Sequence, residues 1–375
     1  MTSPRVSIMM PLRGAAAHIR DRIGRVSRRR RRLPPALDPV PTISVVVPTL
    51  ARPQLLGRCL DALARQTVPP KQVVVAYRPD DRDTTALLGE SEAVDPGRRT
   101  SAPAAEPGLL HAHAAGTNAA TAEVVAYLDD DAAPRPDWIA ELGKPFTDPT
   151  VGAVGGRILD RINGEVVQGR VRRPGLIRWY GRIVWGHNLE SDHYGDVDWL
   201  SGANMAIRRR LVQIDMRLLH QPNGLAMAND MNMTLSVRRS GFRVVFGAHI
   251  VVEHDTTSHR DPLLGSRVSQ QDVERSVANH AYALLKYLPR SRHPFLFLWG
   301  YLMGSRSMAG PGRVLIELSR SPRRAVGMAR RIPHVWKGRR LGARMYREWR
   351  ARGSEPPVSR ERSAVDVGAA RNPSA

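Results

Sequence analysis

AYLDDDAAP, Ala126 to Pro134, is the stretch whose reading decides the fold. The hydrophobic run Val124-Val125-Ala126-Tyr127-Leu128 stops abruptly at three carboxylates, Asp129, Asp130 and Asp131. Such a run reads as a short buried strand with the acids just past its end. In an open α/β sheet the strand ends face a crevice where ligands bind. Adjacent carboxylates repel one another, and a cation relieves that repulsion. Mg²⁺ held by one or two carboxylates plus substrate phosphates is the usual arrangement. A solvated acidic turn fits the triplet equally well, because Pro136 and Asp137 look like the first turn of a helix.

Working outward, Ile43 to Val47 is a clear strand, ended by Pro48-Thr49. Pro53 to Gln66 follows with Leu55, Leu56, Cys59, Leu60 and Leu63 at helical spacing. Gln72 to Ala76 is the next strand, and Arg78 to Thr84 reads as the loop after it. Leu109 to Ala122 reads as a helix before the acidic stretch. Strand, helix, strand, helix, strand predicts a parallel sheet with crossover helices. No GxGxxG follows the first strand, which disfavours a dinucleotide fold.

Downstream, Trp138 to Phe146 reads as a helix and Val151 to Ile158 as a glycine-bearing strand. Residues 160–198 interleave Arg170, Arg172, Arg173, Arg178 and Arg182 with Trp179, Tyr180 and Trp185. A mobile substrate loop and an amphipathic surface segment both fit that pattern, with the second preferred. Asn229-Asp230 precedes a helix that runs through Ser240, with Gly241 as its stop signal. Phe242 to Phe246 and Ile250 to Val252 read as strands, the second ending at Glu253-His254-Asp255.

The chain has 375 residues and is 42% apolar, enough for one large domain with appendages or for two domains. The lone Cys59 excludes an internal disulfide and a zinc cluster of cysteines, and a reducing cytoplasmic setting fits. The formal net charge is +22, but the ends carry it: ten Arg against two Asp in residues 1–40, and twelve Arg or Lys against one Glu in residues 320–352. The core between them is near neutral and the chain is only 5% aromatic, which argues against a nucleic-acid face there. No run of about 18 apolar residues exists, so no spanning helix is expected. The apolar stretch Ser7 to Leu12 is too short for a secretory signal.

Six pieces, in order, resemble a family 2 glycosyltransferase of the GT-A type, a nucleotide-sugar-dependent and usually inverting enzyme. They are SVVVPTL, AYLDDDAAP, GGRI, LSGANMAIRR, NDMNMTLSVRRSGFRVVF and VVEH, spanning about residues 43–255. The resemblance implies an α/β, GT-A-like fold, with a Rossmann-like, mostly parallel sheet flanked by helices. It implies that Pro48, Thr49 and one of Asp80 or Asp81 cradle the nucleotide. It implies that Asp129 and Asp131 bind a divalent cation, Mn²⁺ or Mg²⁺, with Asp130 near the ribose and His254 completing the metal site. Gly202 and Asn204 would line the sugar site, and Asp230 would be the catalytic base. The chemistry suits these types: the cation offsets charge on a leaving diphosphate, and a carboxylate takes a proton from an acceptor hydroxyl.

The chain departs from the family pattern at three places. Asn229 stands where Glu usually precedes the base, His113-Ala114 stands where an Arg-Asn pair is common, and the loop after the second strand is longer. A degenerate glycan-binding relative is therefore the alternative. A sugar nucleotidyltransferase is less favoured, since Thr49 to Pro53 lacks a glycine-rich triphosphate loop.

The expected organisation is a basic, Pro-ended extension over 1–40 and a glycosyltransferase domain over 41–260, with a nucleotide half at 41–135 and an acceptor half at 136–260. A helical, partly apolar segment follows over 261–319, then a basic amphipathic helix and tail over 320–375. The expected partners are a nucleotide-sugar donor, a glycan or lipid-linked acceptor, and an anionic membrane surface, with no nucleic acid. The two basic ends would hold the enzyme on the inner face of the cell membrane, where Val326, Met328, Ile332, Val335, Trp336, Leu341, Met345 and Trp349 enter the headgroup boundary; the apolar stretch Pro294 to Met303, too short to span, adds to that surface or packs as a buried core helix.

Overall fold

The computed structural model describes residues 39–90, 93–95, 97–221, 223–255 and 269–353. The expected basic helix over Arg13 to Arg32 and the tail after residue 353 lie outside the described residues.

β1 (Ile43–Pro48) is buried along its whole length. Val45 and Val47 face one core and Val46 the other, so both faces of the sheet are covered. An unbroken apolar run is what such a strand requires. α1 (Pro53–Ala64) begins on a proline and lays Leu56, Cys59, Leu60 and Leu63 onto the first face. β2 (Gln72–Tyr77) pairs in parallel with β1.

α2 (Arg82–Glu90) and β3 (Arg99–Pro103) escape the sequence reading. α2 is mostly polar, and its start rests on Asp81, whose carboxylate accepts from the Thr84 backbone at 3.0 Å and its hydroxyl at 2.7 Å. β3 is polar because it pairs only with β2, at the sheet edge. α3 (Leu109–Ala119) packs on the second face through Gly116, where a Cβ would stand 2.4 Å from Val46.

β4 (Val124–Tyr127) runs parallel to β1, and β5 (Ala132–Pro134) follows the acids. α4 (Trp138–Gly143) gives way to a 3₁₀ turn over Lys144–Thr147, where one helix through Phe146 was expected. Pro145, which has no N–H to donate, sits at that change. β6 (Val151–Ile162) and β7 (Glu165–Val166) form a hairpin. The segment after it is built from short pieces: β8 (Leu176–Ile177), β9 (Ile183–Val184) and β10 (Tyr194–Asp196). It is a partly buried wall, with Trp185 against Trp199 and His280.

β11 (Met205–Arg208) runs antiparallel between β4 and β6. α5 (Asn229–Arg239) then leads to β12 (Arg243–Asp255). The two strands expected around Phe246 and Ile250 are one strand with a register shift between Gly247 and Val251. The sheet order is β10-β12-β6-β11-β4-β1-β2-β3, a mixed α/β architecture flanked by helices.

Among the described residues, the α-helices that follow are α6 (Gln270–Tyr287), α7 (His293–Leu302), α8 (Pro311–Leu318) and α9 (Pro322–Ala351). α6 ties back to the sheet domain, since Tyr282 and Lys286 both reach Asp215, at 2.7 and 2.6 Å. α9 lies very close to α6. A Cβ on Gly338 or Gly342 would come 2.5 Å from the Glu274 carbonyl or 2.4 Å from the Ala278 carbonyl.

This packing corrects the expected placement of the α9 apolar residues. Met328, Val335 and Met345 are buried, Ile332, Trp336, Leu341 and Trp349 are half-buried, and of these eight only Val326 is exposed. More of the exposed apolar side chains of the C-terminal helices lie on α7, within the expected apolar stretch, and on α8: Phe295, Leu298, Leu302, Leu315, Ile316 and Leu318. Among the described residues no helix is long and apolar enough to cross a membrane.

Candidate active site

Strand register assembles the acidic site. β5 pairs antiparallel with β12 so that Ala132 lies opposite His254, and the Asp255 amide donates to the Asp131 carbonyl at 3.2 Å. β6 pairs in parallel with β12 so that Asp160 lies beside the same histidine. Residues about a hundred positions apart therefore meet at one set of strand ends.

His254 Nε2 is 3.0 Å from Asp131 and 3.9 Å from Asp129. Its Nδ1 is 2.9 Å from Asp160. The ligand atoms of Asp129, Asp131 and His254 all lie within 4.8 Å of one another. Burial lowers the histidine pKa, but hydrogen bonds to Asp131 and Asp160 and the charges of Asp131 and Asp129 override it and push it up to about 10. Asp129 is raised, by desolvation first and then by Asp131. Two carboxylates and an imidazole whose other nitrogen is fixed by a carboxylate form a donor set that fits a divalent cation.

Asp130 points the other way and is fully buried. It accepts from the Thr49 hydroxyl at 2.7 Å and pairs with Arg52 at 2.9 Å. The same guanidinium reaches Asp131 at 3.3 Å. Asp81 accepts from the Ala51 backbone at 2.6 Å, besides capping α2. Ala51 itself is left-handed, with φ 51°. Asp80 is exposed and paired with Arg78. Pro48 is the last residue of β1.

Asp230 stands in the first turn of α5. It accepts from the Gly202 backbone at 3.1 Å and from the Met231 backbone at 2.7 Å. Burial raises its carboxyl to about 6, against the lowering effect of those backbone bonds. Asn204 is placed differently from expectation. Its amide accepts from the Trp138 indole at 2.9 Å and donates to the Arg157 and Ile250 carbonyls, both at 3.0 Å. It clamps β6 and β12 together, a structural role that uses both amide hydrogens. Asn204→Leu is expected to cost about 3 kcal/mol, because three buried partners lose their bonds. A fall in the urea unfolding midpoint, with unchanged slope, measures that cost.

A cavity of about 520 Å³ joins these groups; Asp129, His254, Gly202 and Asp230 all line it. Asp160, His113, His187 and Asn188 line it too, and sequence reasoning missed all of these as site residues except His113, noted only as a departure. A signal for Asp160 was present: an acid at the far end of the GGRI strand.

The sequence profile described as "Glycosyltransferase like family 2" matches residues 41–272. The O-antigen chain rhamnosyltransferase RfbN of Salmonella typhimurium is 24% identical over 214 residues, which is 56% of this chain and 66% of that relative. The chain thus spans just under two-thirds of that relative's length. A crystal structure of GalNAc-T7 with UDP, GalNAc and Mn²⁺ superposes with a TM-score of 0.53 at 16% identity, covering 70% of this chain and 50% of that one. The mannosyltransferase PcManGT of Pyrobaculum calidifontis, solved with GDP-Man and Mn²⁺, gives 0.48 at 21% identity, covering 85% and 90%.

Proposed function

The chain belongs to the family described as glycosyltransferase like family 2, and on that premise we propose that it moves a sugar from a nucleotide-diphosphate sugar to a hydroxyl of a glycan or lipid-linked acceptor, with inversion. One observation carries this reading: Asp129, His254 and Asp230 open onto a single cavity. An acceptor in polysaccharide assembly is supported by the relative named O-antigen chain rhamnosyltransferase. A nucleotide donor with a divalent cation is supported by the GalNAc-T7 structure with UDP and Mn²⁺.

Asp129, Asp131 and His254 would hold the cation, with Asp160 fixing the imidazole. When bound, the cation offsets charge on the leaving diphosphate. Pro48, Thr49, Asp80, Asp81 and Asp130 stand at the strand ends and loops assigned here to the nucleotide. Gly202 stands beside Asp230, donates its N–H to that carboxylate and lines the same cavity. Asp230 takes the proton from the acceptor hydroxyl as that oxygen attacks the anomeric carbon, and the two backbone bonds aim its carboxylate. Incubation with a nucleotide-sugar panel and Mn²⁺ or Mg²⁺ tests the reading by the nucleoside diphosphate released. Absence of both binding and release across the panel removes it.

The enzyme works at an anionic membrane surface, and the surface it uses is α7 and α8. Phe295, Leu298 and Leu302 form one exposed stripe, and Leu315 and Leu318 another, with exposed Arg290, Arg292, Arg320 and Arg323 nearby in sequence. Apolar side chains at the headgroup boundary with arginines outside suit such a surface. Each basic residue near it contributes roughly 1 kcal/mol. The full chain is expected to sediment with phosphatidylglycerol vesicles at low salt and not with phosphatidylcholine ones. The double variant Leu298→Asp, Leu315→Asp is expected to lose at least about tenfold in affinity. Equal sedimentation of variant and wild type removes this surface.

A further inference from the structure

Two of the three departures from the family pattern meet in space. His113 of α3 and Asn229 of α5 lie 116 positions apart, yet the Asn229 Nδ2 is 2.8 Å from the His113 Nδ1. Both side chains are almost completely buried, at 4% and 3% exposure, and both line the cavity that holds Asp230. Burial pushes His113 down to about 4, so the imidazole is neutral. With Nδ1 accepting from the amide, its proton sits on Nε2. The pair is thus uncharged. The Asn229 Oδ1 has no hydrogen-bond partner among the described residues. A buried, unpartnered acceptor costs about 1–3 kcal/mol unless something donates to it.

The local backbone holds this atom in place. Ala228, immediately before the pair, is left-handed with φ 66°, which a residue with a Cβ rarely adopts. Strain of that kind persists where the surroundings fix the chain, and it clusters at ligand sites. The His113 ring packs on Tyr127, whose hydroxyl meets Thr117 at 2.7 Å, so the imidazole is supported from behind as well.

We propose that the His113–Asn229 pair reads a hydroxyl of the acceptor sugar, the one neighbouring the hydroxyl that Asp230 deprotonates, with Asn229 Oδ1 as the acceptor of that hydrogen bond. This rests on the transfer reading above. Asn229 and Asp230 line the same cavity, so a sugar that offers one hydroxyl to Asp230 can offer its neighbour to Asn229. An uncharged pair suits a neutral hydroxyl. A carboxylate at position 229 would instead set a second negative charge beside Asp230. Asn229 is a specificity-determining residue on this view, and His113 is a positioning residue that acts through it.

The test uses the full chain, a nucleotide sugar that it turns over, and a panel of methyl hexopyranosides with their monodeoxy counterparts as acceptors. Wild type is expected to prefer one glycoside over one of its deoxy forms by about tenfold or more. Asn229→Ala is expected to raise the KM for that glycoside by a similar factor, to leave the donor KM unchanged, and to use the deoxy form as well as wild type does. His113→Gln, which keeps an amide next to Asn229, is expected to retain most of the preference. Asn229→Leu guards against a folding artefact: it keeps the approximate shape without an acceptor oxygen and is expected to lose the same preference. Discrimination that survives in both Asn229 variants overturns the proposal. A loss confined to the donor KM does so too, and assigns the pair to the donor sugar. Nucleoside diphosphate release by wild type with no glycoside of the panel accepted also counts against it, while leaving the donor reading intact.

Discussion

Asp230→Asn is expected to bind donor as wild type does while transfer falls by about 10²–10⁴-fold, the usual contribution of a positioned base. The substitution keeps the size of the side chain, and its single amide oxygen keeps one of the two backbone donors, Gly202 and Met231, which meet different carboxylate oxygens in the wild type. What it removes is the ability to accept a proton. The pH profile supplies a second readout. Burial raises the carboxyl to about 6, and the base form is the deprotonated one. Activity is therefore full above that value and is lost as the pH falls through about 6. A variant that transfers at near-normal rate, or a wild-type profile flat down to pH 4.5, assigns the proton to another group.

Asp129→Asn is expected to lower metal-dependent donor binding by about 100-fold, at the upper end of what even outer partners of a metal site contribute. Asp129 is the better choice over Asp131, because it is only half-buried whereas Asp131 is buried against Arg52 and His254. Titration calorimetry of a nucleoside diphosphate with Mn²⁺ gives the affinity directly. Binding in the variant equal to wild type, or wild-type binding indifferent to a chelator, would show that the cation sits elsewhere or is not needed.

Much of this was legible in the sequence because it depends on local pattern. β1 and β4 declare themselves as apolar runs covered on both faces, and the acids declare themselves by ending one of them. What stayed hidden depends on register. Nothing in the chain around Asp160 says that it will lie beside His254; only the parallel pairing of β6 with β12 does that. Asn204 shows the converse. Its neighbours suggest a turn at the sugar, yet the fold commits the whole amide to Trp138 and two carbonyls. The polar elements α2 and β3 carry too little hydrophobic period to be read, since one is mostly surface and the other an edge. In α9 the apolar residues were visible but their direction was not, because Gly338 and Gly342 admit the neighbouring helix on that side.

Arg52 spans Asp130 and Asp131, and His254 presses on Asp131 from the opposite side. The acidic cluster is therefore partly offset by counter-charges belonging to the chain. A lone cation arriving there competes with them and gains little. On the proposed reading a nucleotide diphosphate would change that balance: its own negative charges would engage the guanidinium and leave the carboxylates to the metal. Each ligand then tightens the other by the same factor, since coupling between two bound species is reciprocal. The resting protein would in this way ignore fluctuations in free divalent ions and answer to the sugar nucleotide, with Arg52 as the hinge of the exchange.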